Sequence, residues 1–207
     1  MTEERIVYVV DDDAAVRDSL VWLLGSVGLR ALSFGSAAEF LEGYEDIGTC
    51  CLVSDVRMPE MSGLELQKAL NARDIQIPLI LMTAFGDVST AVKAMKAGAV
   101  DFIEKPFNNQ NMLDLINTAL QADADRRKSK EVAVENAQLL ARLTPQEHRV
   151  FERVVAGLAN REIGNEMDIS VKTVEVHRAR VMRKLEANSV AELVRFHLHS
   201  APTTEGG

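Results

Sequence analysis

The chain has 207 residues, 47% of them apolar and 26% charged, with 12 Gly and 5 Pro. Disordered and fibrous classes are excluded by this composition, and the length allows one or two globular domains. No run approaches the roughly 18 apolar residues of a membrane span, and the acidic start Met1-Thr2-Glu3-Glu4-Arg5 lacks a signal-peptide pattern, so a cytoplasmic protein without a membrane partner is expected. The two cysteines, Cys50 and Cys51, are adjacent, which rules out a disulfide framework or a spaced metal site and leaves buried small residues.

The formal charge of −8 would by itself argue against nucleic acid, but it is unevenly spread. Residues 1–121 hold 18 Asp/Glu against 9 Lys/Arg, and residues 137–207 hold 9 against 10. Between Lys172 and Lys184, five cations (Lys172, Arg178, Arg180, Arg183 and Lys184) face Glu175 as the single anion.

In chain order, Ile6 to Val10 is an apolar β-rich run that ends abruptly in Asp11-Asp12-Asp13, the pattern of a strand buried on both faces. Val16, Leu20, Leu23, Leu24 and Val27 then make a helical stripe, with Gly28 placed as its stop. Further strands are predicted at Ala31–Phe34, Cys51–Ser54, Leu79–Met82 and Asp101–Ile103. Helical stripes follow at Val88, Ala91, Val92 and Met95, and at Met112, Leu113, Ile116 and Leu120. Five strands alternating with five helices predict an α/β doubly wound, five-stranded parallel sheet with right-handed crossovers.

Ligands of such a sheet sit at the carboxyl ends of the strands, where strand order reverses. Those ends carry Asp11 and Asp12, Asp55, Thr83 and Lys105, with Asp13 assigned to capping the helix that follows. Oxygen-only donors suit a hard dication such as Mg²⁺ rather than zinc, and a Gly-rich phosphate loop is absent. The chemistry that fits is phosphoryl transfer to a carboxylate, with charge on the phosphoryl oxygens neutralised by a metal and a lysine. Asp55 stands alone in Ser54-Asp55-Val56-Arg57-Met58-Pro59 and is the best nucleophile, whereas Asp11 and Asp12 would share the metal as an adjacent pair.

Val10-Asp11-Asp12-Asp13, Asp55-Val56-Arg57-Met58-Pro59 with Gly63, Thr83-Ala84 and Lys105-Pro106-Phe107 together resemble the receiver domain of two-component response regulators, a flavodoxin-like fold, over residues 4–122. The resemblance implies that Asp55 accepts phosphate from a sensor histidine kinase. Asp12, Asp55 and the Arg57 carbonyl would ligate Mg²⁺, with Asp11 acting through water, and Lys105 would pair with the acyl phosphate. It further implies that Thr83 and Phe102 switch together, that the Lys105-Pro106 bond is cis, and that Arg57 and Phe85 tune phosphoryl lifetime, a bulky Phe85 slowing hydrolysis.

Residues 123–141 contain Arg126-Arg127-Lys128-Ser129-Lys130 and no Gly or Pro, which predicts a helical linker with a solvated basic run. Beyond it, every apolar stripe has helical spacing. Thr144-Pro145-Gln146-Glu147 is a capping box with Pro at the first helical position, and Val150, Phe151, Val154, Val155 and Leu158 follow as a buried stripe. A short helix over Asn160–Met167 turns through Asp168-Ile169 into a third, capped by Ser170, whose inward face is Val174, Val181 and Leu185; Ser189 caps a fourth.

Two short helices joined by a tight turn, the second of them basic, form a helix-turn-helix, whose second helix enters the major groove. The segments Leu143 to Glu147, Gly157 to Ile163 and Ser170 to Arg178 resemble the LuxR-type DNA-binding domain, assigned to residues 142–200. A receiver joined to this all-α domain resembles the NarL/FixJ subfamily of transcription regulators, which implies double-stranded DNA as a partner, homodimerisation on phosphorylation and RNA polymerase as a further candidate partner. Lys172, Glu175, Val176 and Ala179 share one helical face and are assigned to base edges, with Thr173 beside them. Arg161, Arg178, Arg180, Arg183 and Lys184, together with Lys172, are assigned to phosphates; His177 is read as a packed residue.

Overall fold

The apolar runs form strands β1 (Arg5–Val10), β2 (Arg30–Phe34), β3 (Thr49–Asp55), β4 (Leu79–Thr83) and β5 (Asp101–Glu104). All pair in parallel, in the order β2-β1-β3-β4-β5. The computed structural model describes residues 4–84 and 88–200, in two units that divide between Arg127 and Lys128. Helices α1 (Ala14–Ser26), α2 (Ala37–Gly43), α3 (Gly63–Ala72), α4 (Val88–Lys96) and α5 (Asn109–Leu140) alternate with the strands, so the doubly wound architecture is present.

Alternation along each strand sends neighbouring side chains to opposite faces. Ile6, Tyr8, Val10, Cys50, Leu52, Leu79 and Leu81 pack with Phe40 of α2, Leu66 and Leu70 of α3 and Ala94 of α4. Val7, Val9, Cys51, Val53, Ile80 and Met82 pack with Leu20 and Leu24 of α1 and with Met112, Ile116 and Leu120 of α5. The adjacent cysteines therefore point into different cores. Burial pushes the Cys50 thiol up to about 11 and raises that of Cys51 as well, so both are inert packing groups.

Two expectations change. The stripe Val88, Val92 and Met95 of α4 does not face the sheet: these residues are 75%, 46% and 46% exposed, and Ala94 is the buried residue of the helix. The helix meets the core through the small Ala94, so the apolar face found by periodicity is the outer one. The segment from residue 123 is also not simply a solvated linker. Asp123 on α5 is fully buried and accepts from Cys50 N–H (2.9 Å), Arg127 Nε (2.7 Å) and Arg126 Nη2, while Arg127 Nη2 also pairs with Asp46. These bonds tie α5 to the start of β3, so the packing of the first unit continues past residue 122 to Arg127.

The second unit folds as α6 (Pro145–Val155), α7 (Asn160–Met167), α8 (Val171–Lys184) and α9 (Val190–Ser200). The Thr144–Glu147 capping box and the Ser170 cap are formed, and Gly157 takes a positive φ just after α6. Val150, Phe151, Val154, Ile163, Val174, Val181, Leu185 and Leu193 make the core. The turn between α7 and α8 needs a small residue before it, because a Cβ on Gly164 would lie 2.9 Å from the Ile169 carbonyl oxygen.

Removing the buried Asp123 carboxylate leaves two guanidinium groups without their shared partner, a class of change that costs about 3 to 5 kcal/mol. Asp123→Ala is expected to lower the stability of the first unit by about 3 kcal/mol, after discount for the partly exposed arginines. Urea unfolding followed by circular dichroism measures this; a loss below about 1 kcal/mol would show that the cluster is not a fold anchor.

Candidate functional site

Parallel strands deliver their carboxyl ends to one rim. Asp11 follows β1, Asp55 ends β3, Thr83 ends β4 and Lys105 follows β5. There the Lys105 Nζ lies 2.6 Å from Asp11 Oδ2 and 2.6 Å from Asp55 Oδ1. The other oxygens are also engaged: Asp11 Oδ1 accepts from the Asp13 N–H at 2.9 Å, and Asp55 Oδ2 from the Arg57 N–H at 2.6 Å. Lys105 is fixed through its own N–H, which donates to the Thr83 carbonyl at 2.7 Å, and the Lys105-Pro106 bond is cis. Burial pulls the Lys105 pKa down, but hydrogen bonds and attraction from Asp11 and Asp55 outweigh it and leave the ammonium above its ordinary value.

Asp55 sits where the chain turns from β3 into the segment before α3, and Gly63 permits that turn. A Cβ at residue 63 would fall 2.3 Å from the Asp55 carbonyl oxygen and 2.9 Å from Leu81 Cδ2, so no side chain fits. The acidic loop is pinned by Arg17, whose Nη1 donates to the Asp11 carbonyl at 2.7 Å, and by the Asp11 N–H on Phe34 O at 3.3 Å. Arg17 was not legible as part of the site, because its role depends on a tertiary contact rather than on a motif.

Of the residues predicted for this site, Asp11, Asp55 and Thr83 are buried and Lys105 is half-buried on the rim. The adjacent pair is divided: Asp11 is turned inward onto Lys105, whereas Asp12 is exposed, as is Arg57. Phe102 is half-buried on β5, beside Leu81 in register and packed on the core that faces α3 and α4. Phe85 lies outside the described residues. Asp13 caps α1 by accepting from the Ala15 N–H at 2.9 Å.

Among the described residues, no three His, Cys, Asp or Glu side chains are grouped so as to hold a metal by themselves. Mg²⁺ requires less, since one or two carboxylates, a carbonyl and waters satisfy it. Three carboxylates against one ammonium leave an excess of negative charge on oxygen donors alone, and with Asp12 exposed at the rim the donor set fits that ion.

On the second unit, α8 carries the predicted contact face outward: Lys172, Glu175, Val176 and Ala179 are all exposed, as are Arg161, Arg180 and Arg183. An exposed Val176 among charges leaves an apolar contact available on a polar surface. Thr173 belongs to the cap, with its N–H donating to Ser170 Oγ at 3.0 Å and its hydroxyl 2.8 Å from that of Ser170. Arg178 Nη1 donates to Asn160 Oδ1 at 2.8 Å, linking α8 to the start of α7. His177 is half-buried and its Nδ1 is buried with no hydrogen-bond partner among the described residues, in keeping with a packed residue.

Lys184 requires correction as a phosphate contact. Its ammonium bonds Glu147 Oε2 at 2.6 Å and the Arg142 carbonyl at 2.9 Å. A cation already held by a buried carboxylate and a carbonyl is part of the scaffold, so the phosphate assignment is withdrawn from it.

Comparison with known proteins adds independent findings. The family model described as response regulator receiver domain matches residues 7–117, and that of bacterial regulatory proteins, luxR family, matches residues 141–197. The transcriptional regulatory protein FixJ of Bradyrhizobium diazoefficiens is 46% identical over 200 residues, covering 97% of this chain and 98% of the relative. The response regulator protein TodT of Pseudomonas putida is 41% identical, covering 92% and 84%. Among solved structures, the response regulator StyR has a TM-score of 0.81 at 43% identity, covering 94% of this chain and 98% of that one. Full-length FixJ from B. japonicum has a TM-score of 0.59 at 46% identity, covering 94% and 96%.

The Glu147–Lys184 bond makes the second unit sensitive to acid. The hydrogen bond from Lys184, with those from Thr144, holds the Glu147 carboxyl at about 2 despite the opposing effect of burial, below the ordinary Glu value of about 4.3. A depressed folded pKa contributes stability that is present above the ordinary value and is lost as pH falls toward the folded one. Glu147→Gln is therefore expected to be less stable than the unaltered chain at neutral pH, with the difference shrinking between about pH 5 and about pH 2. Thermal unfolding of both proteins across that range checks this; a difference that does not change with pH contradicts it.

Proposed function

The chain belongs to the two-component response regulators that join a receiver domain to a LuxR-type helix-turn-helix and act as phosphorylation-regulated transcription factors, and from that premise we propose that Asp55 accepts a phosphoryl group from a sensor histidine kinase and that the phosphorylated chain dimerises and binds promoter DNA through α8. The observation that carries this reading is the Lys105 ammonium bridging the Asp11 and Asp55 carboxylates at 2.6 Å each, on the rim where such a sheet binds ligands.

In the transfer, an Asp55 carboxylate oxygen attacks phosphorus, the bond from phosphorus to the kinase's imidazole nitrogen breaks, and the electron pair leaves with the imidazole. Lys105 releases one Asp55 oxygen and holds the charge of the incoming phosphoryl group instead. Asp12, Asp55 and the Arg57 carbonyl would hold Mg²⁺, with Asp11 supporting it through water. When bound, the ion neutralises charge spread over the phosphoryl oxygens. Thr83 would turn its hydroxyl toward the phosphoryl group, with Phe102 following, and Arg57 and Phe85 would set how long the phosphoryl group survives.

The domains of this reading are a receiver over 4–122 whose packing α5 carries on to Arg127, a helical linker over the rest of 123–141 and a DNA-binding domain over 142–200, acting in the cytoplasm, with RNA polymerase as a candidate further partner. The outward apolar stripe of α4, beside β5, supports assigning the dimer surface to this face, because exposed apolar patches mark interaction sites. On DNA, Lys172, Glu175, Val176 and Ala179 would read bases, Arg161, Arg178, Arg180 and Arg183 would hold phosphates, and two half-sites bound by one dimer would gain affinity through effective concentration.

Incubation with a small acyl-phosphate donor and Mg²⁺ is expected to label the protein and shift its sedimentation from monomer to dimer, and Asp55→Asn is expected to do neither. Equal mass with and without the donor counts against the mechanism. On DNA, Arg180→Ala is expected to weaken binding to all sequences alike and to reduce the salt slope by about 1, whereas Glu175→Ala changes the preference at one base pair by about 1 to 3 kcal/mol and leaves the slope in place. The reverse pattern would exchange the two assignments.

A further inference from the structure

Gln67 on α3 is a long polar side chain in an apolar core, 3% exposed among Leu66, Leu70 and Ala94. Its Nε2 donates to the Ala94 carbonyl in the last turn of α4 at 3.1 Å, and its Oε1 is buried with no hydrogen-bond partner among the described residues. One turn further along α3, Asn71 Nδ2 donates to the Ala97 carbonyl at 3.2 Å, just beyond the end of α4. Two side-chain amides of α3 thus hold two carbonyls three residues apart, those of Ala94 and Ala97, where α4 stops. Ala94 is the buried residue of α4, so its side chains add little to hold the helix against the sheet.

A buried amide with only its donor satisfied is costly, and a methionine of similar shape would fill the same space without that cost. What Gln67 supplies that an apolar residue cannot is a directional bond to one carbonyl of one helix. We infer that Gln67 is a positioning residue that holds α4, and with it the outward stripe Val88, Val92 and Met95, in the arrangement seen here. In that arrangement both Asp55 oxygens are taken up by Lys105 and the Arg57 N–H, so the clamp favours the form with a free carboxylate. The unpartnered Oε1 keeps the clamp weak enough for a phosphoryl group on Asp55 to overcome it. This rests on the reading that phosphorylation acts through the α4 face, and it adds which residue opposes the change.

Gln67→Met in the full chain tests it, with Asn71→Ala as an exposed second variant at the outer amide. If the clamp opposes activation, releasing it shifts the population toward the active form. Gln67→Met is then expected to be labelled by a small acyl-phosphate donor at least threefold faster than the unaltered chain, to dimerise without the donor at a concentration at least fivefold lower, and to exchange the Ala97 and Ala99 amide protons faster. Asn71→Ala should move all three in the same direction by less, and it decides the matter if Gln67→Met does not fold. A residue that merely filled space would leave labelling equal or slower, and either result overturns the inference. If the phosphorylated unaltered chain remains monomeric, the dimer reading fails, and the clamp is then judged on the labelling rate and amide exchange alone.

Discussion

Two carboxylates brought within reach of each other in a mostly buried rim repel, and the Lys105 ammonium between Asp11 and Asp55 resolves that repulsion. Each of the three residues comes from the end of a different strand, so the pairing depends on the parallel order of β1, β3 and β5 and on the exact register in which Lys105 N meets the Thr83 carbonyl. Around this centre, Gly63 clears space at the Asp55 backbone and Arg17 fixes the Asp11 backbone. The sheet is the means by which four short-range sequence signals become one site.

Much of this was legible because the signals are local. Strand runs ending in Asp or Thr, the capping box at Thr144 to Glu147 and the stripe through Val174 and Val181 each lie within a few residues, and each appears in the structure where its spacing places it. What was not legible depends on partners far apart in the chain. Asp123 meets Cys50 across 73 positions, and Lys184 meets Glu147 across 37. In sequence Arg126 and Arg127 read as part of a solvated run and Lys184 as a phosphate contact, because a cation held by a buried carboxylate looks there like any other cation. The division of Asp11 from Asp12 has the same origin: adjacent side chains at a strand end point to different sides, and only the position of Lys105 decides which is drawn inward.

The two units use charge in opposite ways. In the first, 20 anionic side chains stand against 11 cationic ones, and the excess includes the carboxylates of the rim. In the second, near neutrality hides a separation: Glu147 and Lys184 consume each other within the scaffold, while Lys172, Arg180 and Arg183 remain on the exposed side of α8. Withdrawing Lys184 from the contact set sharpens the interface, since the cations that remain flank Glu175 and Val176 and leave these as the residues able to discriminate between bases in the proposed complex.

Helix α4 is held differently from its neighbours, with Ala94 as its buried residue. A helix can be fixed by burying large side chains or by bonding its termini, and the two differ in reversibility. Interdigitated side chains resist sliding, because interiors are close-packed and any shift opens voids. Alanine against the sheet, with polar bonds at one end, lets a helix exchange one set of partners for another at small cost. Placing Val88, Val92 and Met95 outward sacrifices the burial that would otherwise anchor α4. That arrangement is unfavourable for a helix whose only task is to cover a sheet, and it suits a helix that must present an apolar face in one state and withhold it in another.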